Sequence, residues 1–410
     1  MFELFDSEKM MNGFLFLFIS LLAYIVTTFV YPKVLQFAKK HQIVDNPNAR
    51  KLQRYPTPVL GGVAVYLGIL MGCLVLASYR PEPIIFWTLM AMTVMMIIGI
   101  WDDLSDLSTG FRFLIEIVLM AVIIAVSGIY IDHLHGLWGI RQLNVVAGIS
   151  LSIVAGVGII NAVNMIDGVD GYASGYCIQA SLCFALIFWM VGEPVLACLA
   201  LVVAASLLPF FFHNVFGVKS KMFIGDGGTM MLGVLMALFV LGTLSSKSNC
   251  QILEDSNVSL VALTLAVMCI PVFDTLRVMT LRIIRGYSPF QSDKTHLHHL
   301  FIDMGFSHLG AALSILSINL TVVLIWLVAW MAGMSMEWQT YIVVLLGMAV
   351  TFGFYKLMKI QQFGGNTDED GQPQGTALWH FFLRMGERSH IEKGRTWRTI
   401  RWLMDSTWLG

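Results

Sequence analysis

Five short polar stretches interrupt an otherwise apolar sequence, and each carries residue types that bind phosphates or hard cations. "GIWDDLSDLSTG" sets Asp102 beside Asp103, with Asp106 one turn further on. Adjacent carboxylates repel, so such a pair at an apolar boundary calls for a cation or a raised pKa. "NAVNMIDGVDGYASG" carries Asn161, Asn164, Asp167 and Asp170 at i, i+3, i+6 and i+9. A helical segment would turn the first three toward broadly one face, while Gly168, Gly171 and Gly175 permit close backbone approach to a ligand.

"FIGDGGTM" places Asp226 between glycines, with Phe223 close by. Successive N–H groups at a glycine turn entering a helix favour phosphate. "RGYSPFQSDKTHLHHLFIDMGFS" supplies Arg285, whose fork fits phosphate oxygens, and His296, His298 and His299 as donors near neutral pH. Zinc on these imidazoles lacks the cysteine or spaced carboxylate that would complete a tetrahedral set. "VDNPNARKLQRYPTPVLGG" brings Lys51 and Arg54 to the start of an apolar run, as topogenic charge or as a hold on an anionic lipid head group. Alone, each stretch also fits a solvated turn or helix end. Together they pair carboxylates suited to Mg²⁺ with basic and glycine-rich loops suited to phosphates, a combination that points to phosphoryl transfer. No GxxxxGK[ST] or GxGxxG is present, so an ordinary ATP site is not indicated.

The elements that position these stretches must be membrane helices. Of 410 residues, 57% are hydrophobic and 12% charged, with a mean hydropathy of +0.76 and a net charge of -1, which gives no basic field for nucleic acid. About 20 apolar residues span a bilayer, and that length marks segments at 12–32, 58–78, 84–101, 112–131, 144–162, 173–191, 194–212, 228–245, 258–280, 309–332 and 338–357. The fold class is therefore all-α, a polytopic membrane protein of about eleven helices, because unpaired backbone cannot face hydrocarbon. Alternate loops hold 21 and 4 of the 25 Lys and Arg residues. The positive-inside rule then puts the N-terminus in the periplasm and the C-terminus in the cytoplasm, with the polar stretches as cytoplasmic loops. The first apolar run follows an acidic start without a small-residue cleavage pattern and reads as a retained helix. Six cysteines show no CxxC spacing and suggest no disulfide framework.

The order of these motifs closely resembles the bacterial polyprenyl-phosphate N-acetylhexosamine-1-phosphate transferases, from about residue 31 to 308. Within that superfamily, "DKTHLHHLF" is similar to the DxxHxHH form of the undecaprenyl-phosphate N-acetylglucosamine-1-phosphate transferases, and less to the PxHHHFE form of the phospho-N-acetylmuramoyl-pentapeptide transferases. The resemblance implies that UDP-N-acetylglucosamine and undecaprenyl phosphate give undecaprenyl-diphospho-N-acetylglucosamine and UMP, with Mg²⁺ or Mn²⁺ as cofactor. This is the first membrane step of O-antigen or related envelope polysaccharide synthesis, in the bacterial inner membrane. It implies Asp226 as principal metal ligand and Asp102, with Asp103 beside it, as base or nucleophile-side carboxylate and second metal contact. Asp167, Asn164 and Asn161 would support the metal–diphosphate site. Asp170 and Phe223 would meet uracil, and His296, His298, His299 and Arg285 would face the sugar diphosphate. Direct attack by the lipid phosphate and a covalent aspartyl-phosphate both stay open.

Other UDP-N-acetylhexosamines or UDP-N-acetylmuramoyl-pentapeptide are rival donors within the enzyme class. A transporter of a polyanionic lipid or nucleotide sugar is the rival class; it would place its carboxylates near mid-bilayer in broken helices of paired halves. A homodimer is expected only because that arrangement is commonest among oligomers. Residues 1–357 read as the transmembrane domain and 358–410 as a C-terminal extension. The extension is rich in Arg and Trp and reads as a membrane-surface amphipathic helix or a protein contact.

Overall fold

A computed structural model of the chain describes residues 7–46, 55–105, 107–290, 294–364, 375–390 and 395–406. It consists almost entirely of helices. α1 (Ser7–Lys40) ends on Lys39 and Lys40, basic residues that suit a helix C-terminus. After a two-stranded antiparallel ribbon, β1 (Val44–Asp45) with β2 (Thr57–Pro58), come α2 (Gly61–Tyr79), α3 (Pro83–Ser105) and α4 (Thr109–Ser127). The chain continues through α5 (Val145–Met165), α6 (Tyr172–Val191), α7 (Pro194–Phe216) and α8 (Gly225–Leu244).

Two shorter helices follow, α9 (Leu260–Val267) and α10 (Cys269–Ile284), which meet at a 76° bend. Then come α11 (Leu297–Asp303), α12 (His308–Met331) and α13 (Met336–Met348), which passes through a π-helical stretch into α14 (Tyr355–Phe363). Two helices close the described chain, α15 (Ala377–Arg388) and α16 (Arg395–Ser406). Ten of these helices or continuous helix pairs are long and apolar enough to cross a bilayer, and eleven if the bent pair counts as one span. That matches the eleven apolar segments, although the last span runs on to Phe363.

α8 is the axis of the bundle, and its residues are buried from Gly227 to Leu244. In a membrane the hydrophobic effect does not drive helices together, so close packing by small residues does that work. A Cβ on Gly62 would stand 2.4 Å from Gly228 Cα, and one on Gly99 2.3 Å from Gly227 Cα. Farther along, a Cβ on Gly233 would stand 2.6 Å from Ile160 Cα. Large apolar side chains such as Phe14, Leu17, Phe29, Val154, Leu186 and Val328 point outward, as a lipid-facing surface requires.

The bend between α9 and α10 frees backbone groups that hydrocarbon could not satisfy. Asn319 of α12 fills it, accepting from Ile270 N at 3.0 Å and donating to the Val267 carbonyl at 3.0 Å.

Contacts sort the loops to two ends. At one end Asp132 binds Ser246, Lys247 reaches the Ser127 carbonyl, Asn249 N donates to Glu193, and Trp138 donates to Tyr341. At the other end gather the α1–α2, α3–α4, α5–α6, α7–α8 and α11–α12 connections, with the polar stretches.

Candidate active site

The site forms where α8 begins. Phe223 N donates to the Pro58 carbonyl at 2.8 Å, and Gly61 N and Gly62 N donate to the Phe223 and Ile224 carbonyls, each at 2.8 Å. This ladder lays the start of α2 beside the start of α8. Gly225 then takes a left-handed φ of 76°, which favours glycine, and a Cβ there would stand 2.7 Å from Asp103 Oδ2. The closeness lets Asp103 Oδ2 accept from Asp226 N at 2.9 Å, so the end of α3 caps the start of α8.

Asp226 Oδ1 accepts from Asn164 Nδ2 at 3.0 Å, and the same amide donates to Thr229 Oγ1 at 2.8 Å. The end of α5 is thereby tied to α8. The Asp226 side chain stays 40% exposed, and its Oδ2 faces Arg112 Nη1 at 3.9 Å, beyond hydrogen-bond reach. Asp102 differs sharply. It is 8% exposed, with Oδ2 held by Arg112 Nη1 at 2.6 Å and Oδ1 accepting from Leu107 N at 2.8 Å.

The α5–α6 turn supplies the next pair. Asp170 Oδ2 lies 2.6 Å from Lys221 Nζ and 2.9 Å from His308 Nδ1. Burial works against this carboxylate, but His308 and Lys221 outweigh it and hold its pKa below the ordinary value. Asp167 opens to solvent at the mouth. The protein around it still limits its hydration, and Asp226, Asp170 and Asp45 add negative charge, so its carboxyl is pushed up to about 7. Gly171, at a φ of 79°, donates its N–H to Asn214 Oδ1 at 2.7 Å, and Asn214 donates to the Met222 carbonyl at 3.1 Å. The turn and the α7–α8 loop are thus one unit.

The histidine segment is ordered from α10. Asp274, buried just past the bend, binds Arg277 Nη2 at 2.7 Å and His296 Nδ1 at 2.9 Å, and accepts from Leu297 N. Arg277 Nη2 also donates to the Thr295 carbonyl at 2.5 Å, and its guanidinium lies 3.8 Å from the Tyr355 ring centre. The His296 and His298 rings are parallel, with centres 5.6 Å apart. His298 lies directly against the α5–α6 turn: a Cβ on Gly168 would stand 1.9 Å from its Nε2. Its Nδ1 is buried without a partner among the described residues. Burial, then the neighbouring His299 and His296, keep its pKa well below the usual imidazole value, so the ring is neutral at pH 7.

The bundle therefore brings together Asp102, Asp103, Asn164 and Asp226, with Asp167, Asp170, Phe223, His296, His298 and His299 on adjoining segments. Three residues have surroundings that the sequence did not show. Asn161 turns away from the mouth and is spent on Glu116 Oε2 at 2.5 Å and the Val157 carbonyl at 2.9 Å, inside the bundle. Asp102 has both oxygens engaged, Oδ2 by Arg112 and Oδ1 by Leu107 N, partners that its place in the sequence did not show. Arg285 is exposed at the end of α10, while Arg277 and Arg282 are the buried arginines. Lys51, Arg54 and Asp106 lie outside the described residues.

The sequence reading missed Arg112, Asn214, Lys221, Asp274, Arg277 and His308. Asp274 had a usable signal, since a carboxylate inside "CIPVFDTLRVMT" is costly in a membrane and asks for a function.

Residues 85–243, α3 through α8, match the family model described as glycosyl transferase family 4. An undecaprenyl-phosphate alpha-N-acetylglucosaminyl 1-phosphate transferase of Escherichia coli (strain K12) is 30% identical over 273 residues, 66% of this chain and 72% of that protein. The Salmonella typhimurium protein of the same name is 28% identical over 294 residues, 70% of this chain and 77% of its own. A probable undecaprenyl-phosphate N-acetylglucosaminyl 1-phosphate transferase of Bacillus subtilis is 29% identical over 331 residues, 78% of this chain and 88% of that protein. Likeness on this scale runs through the capped start of α8 as well as the apolar spans, and the chain belongs to the polyprenyl-phosphate N-acetylhexosamine-1-phosphate transferases, as a multi-pass membrane enzyme that passes a sugar phosphate to a polyprenyl phosphate.

Proposed function

We propose that the protein transfers N-acetylglucosamine 1-phosphate from UDP-N-acetylglucosamine to undecaprenyl phosphate, releasing UMP, at the cytoplasmic face of a bacterial inner membrane. Its product would begin an O-antigen or related envelope polysaccharide. The observation that carries this reading is the junction of Asp103, Asp226 and Asn164, which joins three helix ends into one mouth rich in carboxylates. The positive-inside rule supports the cytoplasmic assignment, because 21 of the 25 Lys and Arg residues belong to the loops and tail on that side.

The residues fit a Mg²⁺ or Mn²⁺ ion. Asp226 Oδ2 stands 3.9 Å from Arg112 Nη1, beyond hydrogen-bond reach, and Arg112 is the cation between Asp102 and Asp226. Among the described residues no three carboxylate, imidazole or thiol groups form a ready cage. Mg²⁺ seldom uses one; it takes one or two carboxylates and completes its shell with phosphate oxygens and water. Asp226 would hold the ion, with Asn164, itself held by Thr229, orienting that carboxylate. The ion would supply neutralisation of diphosphate charge.

The chain's own groups account for the remaining work. Asp103 fixes the start of α8, whose glycine-rich turn can meet phosphate oxygens with its N–H groups. Asp170 and Phe223 would bind the uracil end, and the histidine segment the sugar side. A lipid phosphate oxygen forms a new bond to the sugar-bearing phosphorus while the bond from that phosphorus to the bridging oxygen breaks and UMP leaves. The second pKa of a phosphate monoester is about 6, so the attacking group is already ionised and needs no strong base. That agrees with an Asp102 whose oxygens are both occupied, and it favours direct attack over an aspartyl-phosphate.

The test is lipid-linked product formation by purified protein with undecaprenyl phosphate, Mg²⁺ and a panel of labelled UDP-sugars, each with and without EDTA. Product from UDP-N-acetylglucosamine alone, abolished by EDTA, is the expected result. Product from another donor moves the substrate, and none from any donor by folded protein returns the reading to a carrier.

A further inference from the structure

The C-terminal helices dock on the bundle, and the segments they hold are the two that deliver Lys221 and His308 to Asp170. α16 reaches the α7–α8 loop. Asp405 Oδ1 accepts from Val218 N at 3.1 Å, Lys219 N at 3.0 Å, Ser220 N at 3.1 Å and Ser220 Oγ at 3.0 Å. Three successive amides around one carboxylate oxygen form an anion-binding nest, here filled from within the chain. Trp397 is buried against Phe216, ring centres 4.7 Å apart. The opposite side of the loop is held by Tyr31, donating to the Ser220 carbonyl at 2.8 Å. The next residue is Lys221, which binds Asp170.

α15 repeats the arrangement on the segment of the other Asp170 partner. Ser389 Oγ accepts from Ser307 N at 2.9 Å, Ser307 Oγ donates to the Ser389 carbonyl at 3.0 Å, and a His390 ring nitrogen lies 3.0 Å from the Gly305 carbonyl. Gly386 lies so close that a Cβ there would stand 2.2 Å from the Met304 carbonyl oxygen. The next residue after Ser307 is His308, the second partner of Asp170.

We propose that the C-terminal extension is a two-point clamp on the donor end of the site, with Asp405 and Ser389 as positioning residues that set Lys221 and His308 on Asp170. Neither residue touches the mouth itself. Each fixes a loop whose following side chain does, and a small displacement there is costly because productive geometry tolerates little error. The kinetic consequence rests on the reading above that the Asp170 side of the site receives the nucleotide.

The experiment uses full-length protein in detergent, comparing wild type with Asp405→Ala, Asp405→Asn, Ser389→Ala and Lys221→Ala. Hydrogen exchange is read first and does not depend on any substrate assignment. Asp405→Ala should speed exchange at residues 218–220 and leave 305–308 protected, and Ser389→Ala should do the reverse. Steady-state kinetics come second. Asp405→Ala should raise KM for the nucleotide sugar by about five- to twentyfold, below the roughly ten- to 150-fold cost of a hydrogen bond to a charged group lost outright because the contact acts through the loop, with KM for the lipid phosphate and kcat nearly unchanged. Asp405→Asn, which keeps an acceptor oxygen, should recover most of that loss. In a Lys221→Ala background, Asp405→Ala should cost little more, because the two act through one contact. Unchanged exchange in both alanine variants overturns the clamp. Altered exchange with an equal fall in every kinetic constant and in thermal stability overturns the positioning role. If wild type uses no nucleotide sugar, the donor reading fails and the exchange result still decides the clamp.

Discussion

Asp103 of α3 accepts a hydrogen bond from the backbone N–H of Asp226, 123 residues later in the chain, at 2.9 Å. One carboxylate thus caps the helix whose first turn bears the exposed carboxylate of the site. Capping side chains contribute about 0.5–2 kcal/mol. Asp103→Ala should destabilise the fold by an amount in that range, read as a lower thermal midpoint, and slow turnover as the α8 N-terminus loosens. Asp103→Asn keeps an acceptor and should preserve most of the stability. A thermal melt with paired rate measurements checks both.

Asn164→Ala should weaken apparent Mg²⁺ affinity by about 10–100-fold, the usual cost of losing a group that orients a metal-binding carboxylate. Saturating Mg²⁺ should restore the rate. Asp226→Asn should not be rescued at any Mg²⁺ concentration. A Mg²⁺ titration of initial rates separates the two, and near-normal turnover of Asp226→Asn at low Mg²⁺ would remove Asp226 from the metal site.

His298 should make the fold acid-sensitive. Its imidazole is held well below the ordinary value in the folded state and titrates near 6.5 when unfolded. Between those values the unfolded chain binds the extra proton, so stability falls as pH drops below about 6.5 and is fully present above it. The thermal midpoint of wild type should decline from pH 7 to pH 5, and His298→Gln should flatten the decline.

Gly99→Ala should be expensive for its size. The new methyl would meet Gly227 Cα at 2.3 Å, and backbone cannot swing aside as a side chain can. Overpacking of this kind costs about 1–3 kcal/mol. A similar methyl on Gly110, which meets nothing within 4 Å, should leave the melt unchanged.

Labelled UDP-N-acetylglucosamine incubated with protein but without lipid should leave no phospho-sugar on the chain, because both Asp102 oxygens are committed. Label on Asp103 or Asp226 after denaturation would establish a covalent step instead.

Composition and the alternation of charge made the spans readable, since both are imposed by the bilayer on each segment separately. The bend at Met268 was not, because the partner that satisfies it, Asn319, lies in a different helix 49 residues away from Ile270. Asp102 and Asp103 were read as one pair, yet neighbours on a helix point about 100° apart, and one turns to Arg112 while the other turns to α8. Asn161 was placed with Asn164 by its spacing, but a buried Glu116 on the facing helix captures it. The amphipathic character of the tail was visible. Its docking was not, since the partners of Asp405 include three main-chain amides, and every residue but proline carries one.

The burial of α8 also bears on biogenesis. Its first turn touches α2, α3 and the end of α5, all made earlier, and along its length it also packs on α6 and α7; of its principal neighbours only α9 is made later. As the nascent chain leaves the insertion machinery, α8 enters a socket already lined by five helices. The junction of Asp103, Asn164 and Asp226 would then come into being with the arrival of a single span, and a chain stalled before residue 225 would hold seven spans without that junction, the histidine segment still to come.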